Sequence, residues 1–454
     1  MMGTESELGG DILARLDRIP IWPYPRILLV MIGIGYFFAL FDVTNIGFTL
    51  PIIAKQFHVT AAVASVAFST GLVGYVAGAL ITSTIGDYFG RRYSLGISFV
   101  LVGVGSLAAG LSPSMLWLDV SRFVAGMGIA GALDATTPYI TELAPAKIRG
   151  RYAGWASMYG SLAVAVVPPL ALLFVPHYVW GWRAMLAIPV VAVVSVLIGF
   201  RLMVESPRWL VHHGRFQEAQ DLVATLEVRA RQRVGELPPT EPSMNGKSTE
   251  NRRFSWAALL NRKYGGILAA FIGFWIFFLA ADYSWFGLGP TLLVMHGFSI
   301  AATITFWLAA SAGYIVAAFV APVISDLWER KWWVATILTI LMVSTLLVGV
   351  APRVLVIYVS TFLLASGSMI FTPLAYTLTV EHFPAEGRNS ALAASDGVGH
   401  IGAALAPAII LGVAGTGNFF GAWFAMAIGF LIAIVFVLLF ARRMSRRSLE
   451  TLEL

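Results

Sequence analysis

Twelve apolar runs, each near the length of a membrane span, decide what this chain can fold into. They fall at 26–55, 62–85, 93–111, 115–142, 150–175 and 182–203, then at 264–295, 299–325, 332–351, 354–381, 389–414 and 419–441. A stretch of about 20 apolar residues reads as a spanning helix. Lipid offers the backbone no hydrogen-bond partner, so such a run must satisfy its own N–H and C=O groups by coiling into a helix. The fold class expected is therefore an all-α membrane protein, with twelve transmembrane helices in two six-helix bundles. Charged residues make up only 12% of the chain, against about 25% in an average soluble protein.

The runs divide the chain. Residues 1–25 form an N-terminal amphipathic segment, 26–203 the first bundle, 204–262 a linker with amphipathic helices, 263–441 the second bundle, and 442–454 a basic tail. In the first segment Ile12, Leu13, Leu16 and Ile19 share one helical stripe, which predicts a helix lying at the membrane surface. Within the linker, "ELPPTEPSMNGKSTENRR" is rich in Pro, Ser and Asn and predicts no packed structure.

The net charge of +6 reports topology rather than nucleic-acid binding. Most of the 30 Lys and Arg stand in alternate loops, while Lys55, Arg183 and Arg353 stand in the others. By the positive-inside rule the basic loops, both termini and the linker are cytoplasmic, in a plasma or inner membrane. There is no cysteine, which excludes disulfides and thiolate metal sites. No nucleotide loop, nucleophile triad or metal cluster appears, so no enzyme activity, cofactor or metal is expected.

The two halves echo each other. "GDYFGRR" (86–92) returns as "SDLWERK" (325–331), and "ELAPAKIR" (142–149) as "EHFPAEGR" (381–388). Asp87 maps to Asp326, Glu142 to Glu381 and Arg149 to Arg388, each 239 residues on. "FFALFDVTNIG" (37–47) returns as "FFLAADYSWFG" (277–287), so Asp42 maps to Asp282, 240 residues on. Repeated bundles with a site between them near the midplane are one known transporter plan.

In these motifs the chain resembles a major facilitator superfamily transporter, from about Ile12 to Arg443. "GDYFGRR" resembles the superfamily's loop motif between helices 2 and 3, and "RFVAGMGIAG" (122–131) its helix 4 motif. "YITELAPAKIRGR" (139–151) and "VESPRWL" (204–210) resemble the sugar-porter family. "ILARLDRIP" and "GHIGAALAP" (399–407) resemble the neighbouring organic-ion, nicotinate and synaptic-vesicle-protein-like branch. Sugar porters hold sugar hydroxyls with amides in helices 5 and 7. Here "GWASMYGSLAVAV" and "GFWIFFLAADYSWFGLGP" contain none, and Asn45 is the one amide near midplane.

The resemblance implies a proton-coupling pair, Asp42 and Arg122, which proton uptake breaks. The physics is general: a buried carboxylate stays ionised beside a guanidinium and takes up a proton when the two separate. A static brace between two helices is the alternative, and Asp119, three residues before Arg122, is a rival partner. Candidate substrate-binding residues are Asn45, Asp134, Trp155, Tyr159, Asp282, Tyr283, Tyr376, Asp396 and His400. Intramembrane ionisable groups face the bundle interior or a pathway, and individual aromatics are more often packing than ligand. The position matching His400 is Asp in cation carriers of the organic-ion branch and Arg in its anion carriers. Gly86, Asp87, Gly90, Arg91, Arg92, Glu142, Arg149, Asp326, Arg330, Glu381 and Arg388 are the candidate gating residues, with Asp87 expected to accept from backbone donors at a helix N-terminus.

The expected activity is proton-coupled secondary transport of a small organic metabolite across a lipid bilayer by a monomer. An organic acid, aromatic by choice, comes first. A sugar is second, an organic cation or drug exporter third, and a non-transporting nutrient sensor the fourth reading.

Overall fold

The computed structural model describes residues 2–240, 259–261, 264–324, 327–383 and 388–442. A short helix, α1 (Met2–Asp17), precedes α2 (Arg26–Gln56), α3 (Ala61–Tyr88), α4 (Arg91–Gly110), α5 (Met115–Leu143), α6 (Arg149–Phe174) and α7 (Gly181–Gly199). Two helices follow outside the bundles, α8 (Pro207–His212) and α9 (Phe216–Val234). The second half contains α10 (Gly265–Met295), α11 (Ile300–Ile324), α12 (Arg330–Val350), α13 (Val354–Val380), α14 (Arg388–Gly415) and α15 (Phe419–Phe440). Among the described residues, eleven helices are long and apolar enough to cross a membrane. The twelfth, α6, has 26 residues, about 39 Å of helix, with a shorter apolar stretch at Met158–Phe174. Most of the linker stretch "ELPPTEPSMNGKSTENRR" and of the basic tail lies outside the described residues.

Lipid gives apolar helices no reason to associate, so close van der Waals contact must hold them. Small residues provide it. Where α3 crosses α5, a Cβ at Gly74 would come within 2.1 Å of the Phe123 carbonyl oxygen, and one at Gly126 within 1.9 Å of the Gly71 carbonyl. Pro138, Pro168, Pro290, Pro373 and Pro407 stand inside α5, α6, α10, α13 and α14, where they remove backbone hydrogen bonds and permit bends.

The halves meet along three helix pairs, α2 with α10, α3 with α14, and α6 with α11. The sequence repeat exchanges the last two pairs, so the seam is pseudo-symmetric. Its tight contacts lie toward the helix ends away from the basic loops. A Cβ at Gly47 would stand 2.8 Å from the Gly287 carbonyl, Phe68 covers Gly287, and Phe48 meets Trp307 edge to face at 6.1 Å.

The N-terminal stripe does not lie on lipid. Ile12, Leu16 and Ile19 are fully buried, packed with Val223, Leu226 and Ala230 of α9 and with Trp209 and Leu210 of α8. The same periodicity serves a membrane or a protein surface, and here α9 takes the face. Polar contacts fix the docking. Glu227 accepts from Arg15 at 2.8 Å and from Arg18 at 2.6 Å. Asp17 accepts from Arg208 at 2.6 Å and from the Ala146 backbone N–H at 2.9 Å, in the loop between α5 and α6.

Burial opposes ionisation of Glu227, but the hydrogen bonds from Arg15 and Arg18 outweigh it, and its carboxyl sits below the usual carboxylate range. The sign follows: the contribution is complete above the ordinary glutamate value of 4.5 and is lost as pH falls through the lower folded value. Glu227→Gln should weaken docking of α1 by about 1–2 kcal/mol. Since the chain has no cysteine, a single cysteine at Ile12 reads this cleanly. Its maleimide labelling at neutral pH should rise about 5–30-fold in the Gln variant, and unchanged labelling would contradict the assignment.

Candidate functional site

Asp42 and Arg122 form an ion pair inside the first half. The Arg122 Nη1 donates to Asp42 Oδ2 at 2.5 Å, and the Ser106 hydroxyl donates to Oδ1 at 2.7 Å. Asp42 is fully buried and Arg122 nearly so. The pair ties α2, α4 and α5 together. The guanidinium lies against Gly71 of α3, where a Cβ would stand at 3.4 Å, in ordinary contact. Asp119 is not the partner: its Oδ1 is buried without a hydrogen bond. The Arg122 Nε also lacks one. A buried pair is net favourable only with good geometry and further hydrogen bonds, and Ser106 supplies one such bond on the acidic side.

The echo in the second half keeps the acid and loses the base. Asp282 accepts from the Ser368 hydroxyl, as Asp42 does from Ser106, and Tyr314 stands near it. The residue 240 positions after Arg122 is Phe362. Among the described residues no cation pairs with Asp282.

A second set of polar groups lies between the halves. His400 of α14 stacks on Tyr75 of α3, with ring centroids 4.2 Å apart and planes at 14°. Its Nδ1 faces the Asp396 carbonyl oxygen at 2.9 Å, so that nitrogen carries the proton, and Nε2 lies 3.3 Å from the Tyr283 hydroxyl. The Tyr376 hydroxyl donates to Asp396 Oδ1 at 3.4 Å, and Asp396 Oδ2 is 3.8 Å from His400 Nδ1. Asp134 of α5 faces Tyr75 and acts electrostatically on Tyr36, Tyr376 and Asp396. It is solvent-accessible although protein groups of both halves surround it. The space between the halves is therefore open at Asp134. Trp155 is exposed and Tyr159 half-buried on α6, where the Tyr159 ring packs against α2 and fills the position a Cβ at Gly33 would take.

The structure thus brings Asp134, Tyr283, Tyr376, Asp396 and His400 into one cleft. Asn45 is elsewhere: its Nδ2 donates to the Met185 carbonyl of α7 at 2.5 Å, inside the first bundle. Sequence reasoning missed Tyr75 and Tyr36, because a tyrosine in an apolar helix looks the same whether it faces a cleft or a neighbour. It also missed Ser106 and Ser368, which only the helix register brings to the two aspartates.

At the basic face the repeat becomes geometry. Arg91 meets Glu142 at 3.3 Å, and Arg330 pairs with Glu381. The two pairs stand 239 residues apart at both ends. Arg91 also bonds Asp87 at 2.8 Å, while Arg92 donates to the Phe200 carbonyl at 2.8 Å and lies over the Phe200 ring. Arg149 is 3.6 Å from Asp17. The N-terminus of α4 is capped by Glu205, which accepts from the Arg91 N–H at 2.9 Å, and not by Asp87. Gly90 permits this with φ of 109°, and a Cβ there would strike the Glu205 carboxylate at 2.1 Å. A Cβ at Gly86 would stand 3.1 Å from the Arg91 guanidinium. Asp326 and the Arg388 side chain lie outside the described residues. The ion pairs described at this face each join parts of the same half.

Removing one member of a buried pair leaves the other uncompensated. Arg122→Leu should destabilise the protein by about 3–5 kcal/mol, measured as thermal melting in detergent. The double substitution Asp42→Asn with Arg122→Leu should recover part of that loss. A double variant as unstable as the single one would mean that the unpaired carboxylate is not what costs stability.

A family model described as sugar (and other) transporter matches residues 28–454. The niacin transporter NiaP of Acinetobacter baylyi (strain ATCC 33305 / BD413 / ADP1) is 25% identical over 407 residues, 88% of this chain and 90% of that protein. A D-xylose transporter of Levilactobacillus brevis is 25% identical over 319 residues, 66% of this chain and 67% of its own. Among solved structures, the partially occluded inward-open xylose transporter XylE from E. coli is similar with a TM-score of 0.73, covering 94% of this chain and 99% of that one at 17% identity. At that identity the likeness speaks for the fold. The twelve-helix architecture, the paired loop motifs and the family match over residues 28–454 agree, and the chain belongs to the sugar (and other) transporter family, as a multi-pass membrane transporter of the major facilitator fold and not an enzyme.

Proposed function

We propose that the chain is a proton-coupled secondary transporter that moves a small aromatic metabolite by alternating access. One observation carries this reading: a buried carboxylate–guanidinium pair, Asp42 and Arg122, next to a cleft between two halves that is accessible at Asp134 and closed at Gly47 and Gly287. Rocking of the halves exchanges the open end. The proton rides on Asp42: it enters as the carboxylate leaves Arg122, and it leaves when the two re-form their bond. Arg91–Glu142 and Arg330–Glu381 hold the basic ends of each half as rigid units. The basic loops and both termini face the cytoplasm of a cell membrane, and the working unit is the monomer.

Aromatic chemistry of the cleft supports the aromatic reading. Tyr36, Tyr75, Tyr283 and Tyr376 surround it, while Asn45, the amide a sugar would need, is turned to Met185. Unpaired sugar hydroxyls would be penalised there. The organic-acid reading draws on the relative named as a niacin transporter and on His400. It loses Arg122, which is bound to Asp42 and buried.

Proteoliposomes with an imposed pH gradient test the coupling. Asp42→Asn should abolish gradient-driven accumulation of the substrate and leave counterflow exchange in place. Full accumulation by that variant would remove Asp42 from the proton path.

A further inference from the structure

Three contacts converge on one carboxylate oxygen outside the bundles. Asp17, the last residue of α1, accepts through Oδ1 from Arg208 of α8 at 2.6 Å and from the Ala146 N–H of the α5–α6 loop at 2.9 Å. The same oxygen lies 3.6 Å from the Arg149 guanidinium, at the start of α6. Arg149 is the loosest of the three, and it has an unused donor: its Nε is buried and makes no hydrogen bond. α1 is held in place without Asp17, by Glu227 with Arg15 and Arg18 and by the buried face of Ile12, Leu16 and Ile19. Asp17 is therefore a fixed anion beside a guanidinium that can turn elsewhere.

The place of Arg149 in the fold gives this pair a consequence. α6 is a seam helix. It packs on α11 of the second half, and α11 packs on α13, whose basic end leads into Glu381. In this structure the seam is tight at Gly47 and Gly287, away from the basic loops, and the ion pairs described at the basic face stay within one half. The Arg149 guanidinium is then committed to its own half. Closing the basic ends brings α13 toward it, and a long arginine side chain exchanges one carboxylate for another by turning about its own bonds. An anion that holds Arg149 in one arrangement and loses it in the other shifts the balance by that difference. We propose that α1 is a conformational brake: Asp17 parks Arg149 on the first half and so favours the arrangement in which the basic ends stand apart. Asp17 is a positioning residue that touches no substrate. The inference rests on the reading that the two halves rock.

Spin labels at cysteines introduced at Tyr88 and Leu327, exposed at the basic ends of the two halves, report their separation by pulsed electron resonance in the purified full chain in nanodiscs. Asp17→Asn keeps an oxygen for the Ala146 N–H and removes the charge. It should raise the ratio of short to long separations about two- to fivefold. With Arg149→Gln already present, Asp17→Asn should add no change. A cysteine at Ile12 should label in the Asp17→Asn variant as it does with Asp17 in place, because Glu227 still holds α1. An unchanged ratio, or an equal shift in the Arg149→Gln background, overturns the inference. So does a rise in Ile12 labelling that matches Glu227→Gln, since undocking of α1 would then carry the shift. One fixed separation in the unaltered chain and in every variant contradicts the rocking as well. Two populations that ignore Asp17 contradict the parking alone.

Discussion

The bond between Asp42 and Arg122 is the constraint on which the first half depends. It buries a full positive and a full negative charge where water is scarce, and such a pair holds only while both partners and their hydrogen bonds are present. Ser106 occupies the second carboxylate oxygen. A two-state charge arrangement of this kind can be biased by one proton, and a bundle built around it can respond as a unit. The second half has no such clasp. Asp282 keeps a serine donor, Ser368, but Phe362 stands where the repeat would put the arginine, so the duplicated acids differ in what protonation would release.

The seam between the halves complements the pair. Its tight end is made by glycine against glycine and by aromatic edges, contacts that part without breaking a hydrogen bond. Its middle holds the Tyr75–His400 stack. The basic end is braced within each half by Arg91–Glu142 and Arg330–Glu381.

How much of this was legible in the chain depends on the kind of signal. Spans and repeats were, because a charge in an apolar run is conspicuous and three echoes share one register. Glu142 and Glu381 were legible as repeats of each other, but their pairing with Arg91 and Arg330 emerged only from the folded helix ends. The partnership of Asp42 with Arg122 came through resemblance, since 80 residues separate them and nothing local ties them. Side-chain direction was not legible. Asn45 turns to α7, the stripe of Ile12, Leu16 and Ile19 turns to α9, and Glu205 takes the helix end expected for Asp87. In each case the residue type was right for several partners, and only tertiary packing chose among them. The same holds for Tyr75 and Tyr36, which became cleft residues once α2, α3 and α14 were placed.

The most direct test of the account is the link between the proton on Asp42 and the closing of the seam. Spin labels at cysteines introduced at His58 and Ser299, exposed on the two halves at the closed end, report the distance between halves by pulsed electron resonance. In the otherwise unaltered chain the distance distribution should shift as the sample is acidified. With Asp42→Asn, which mimics the protonated acid, it should hold one distribution throughout the acidification. A full pH-driven shift in the Asn variant would contradict the account, because the proton that moves the halves would then be carried elsewhere.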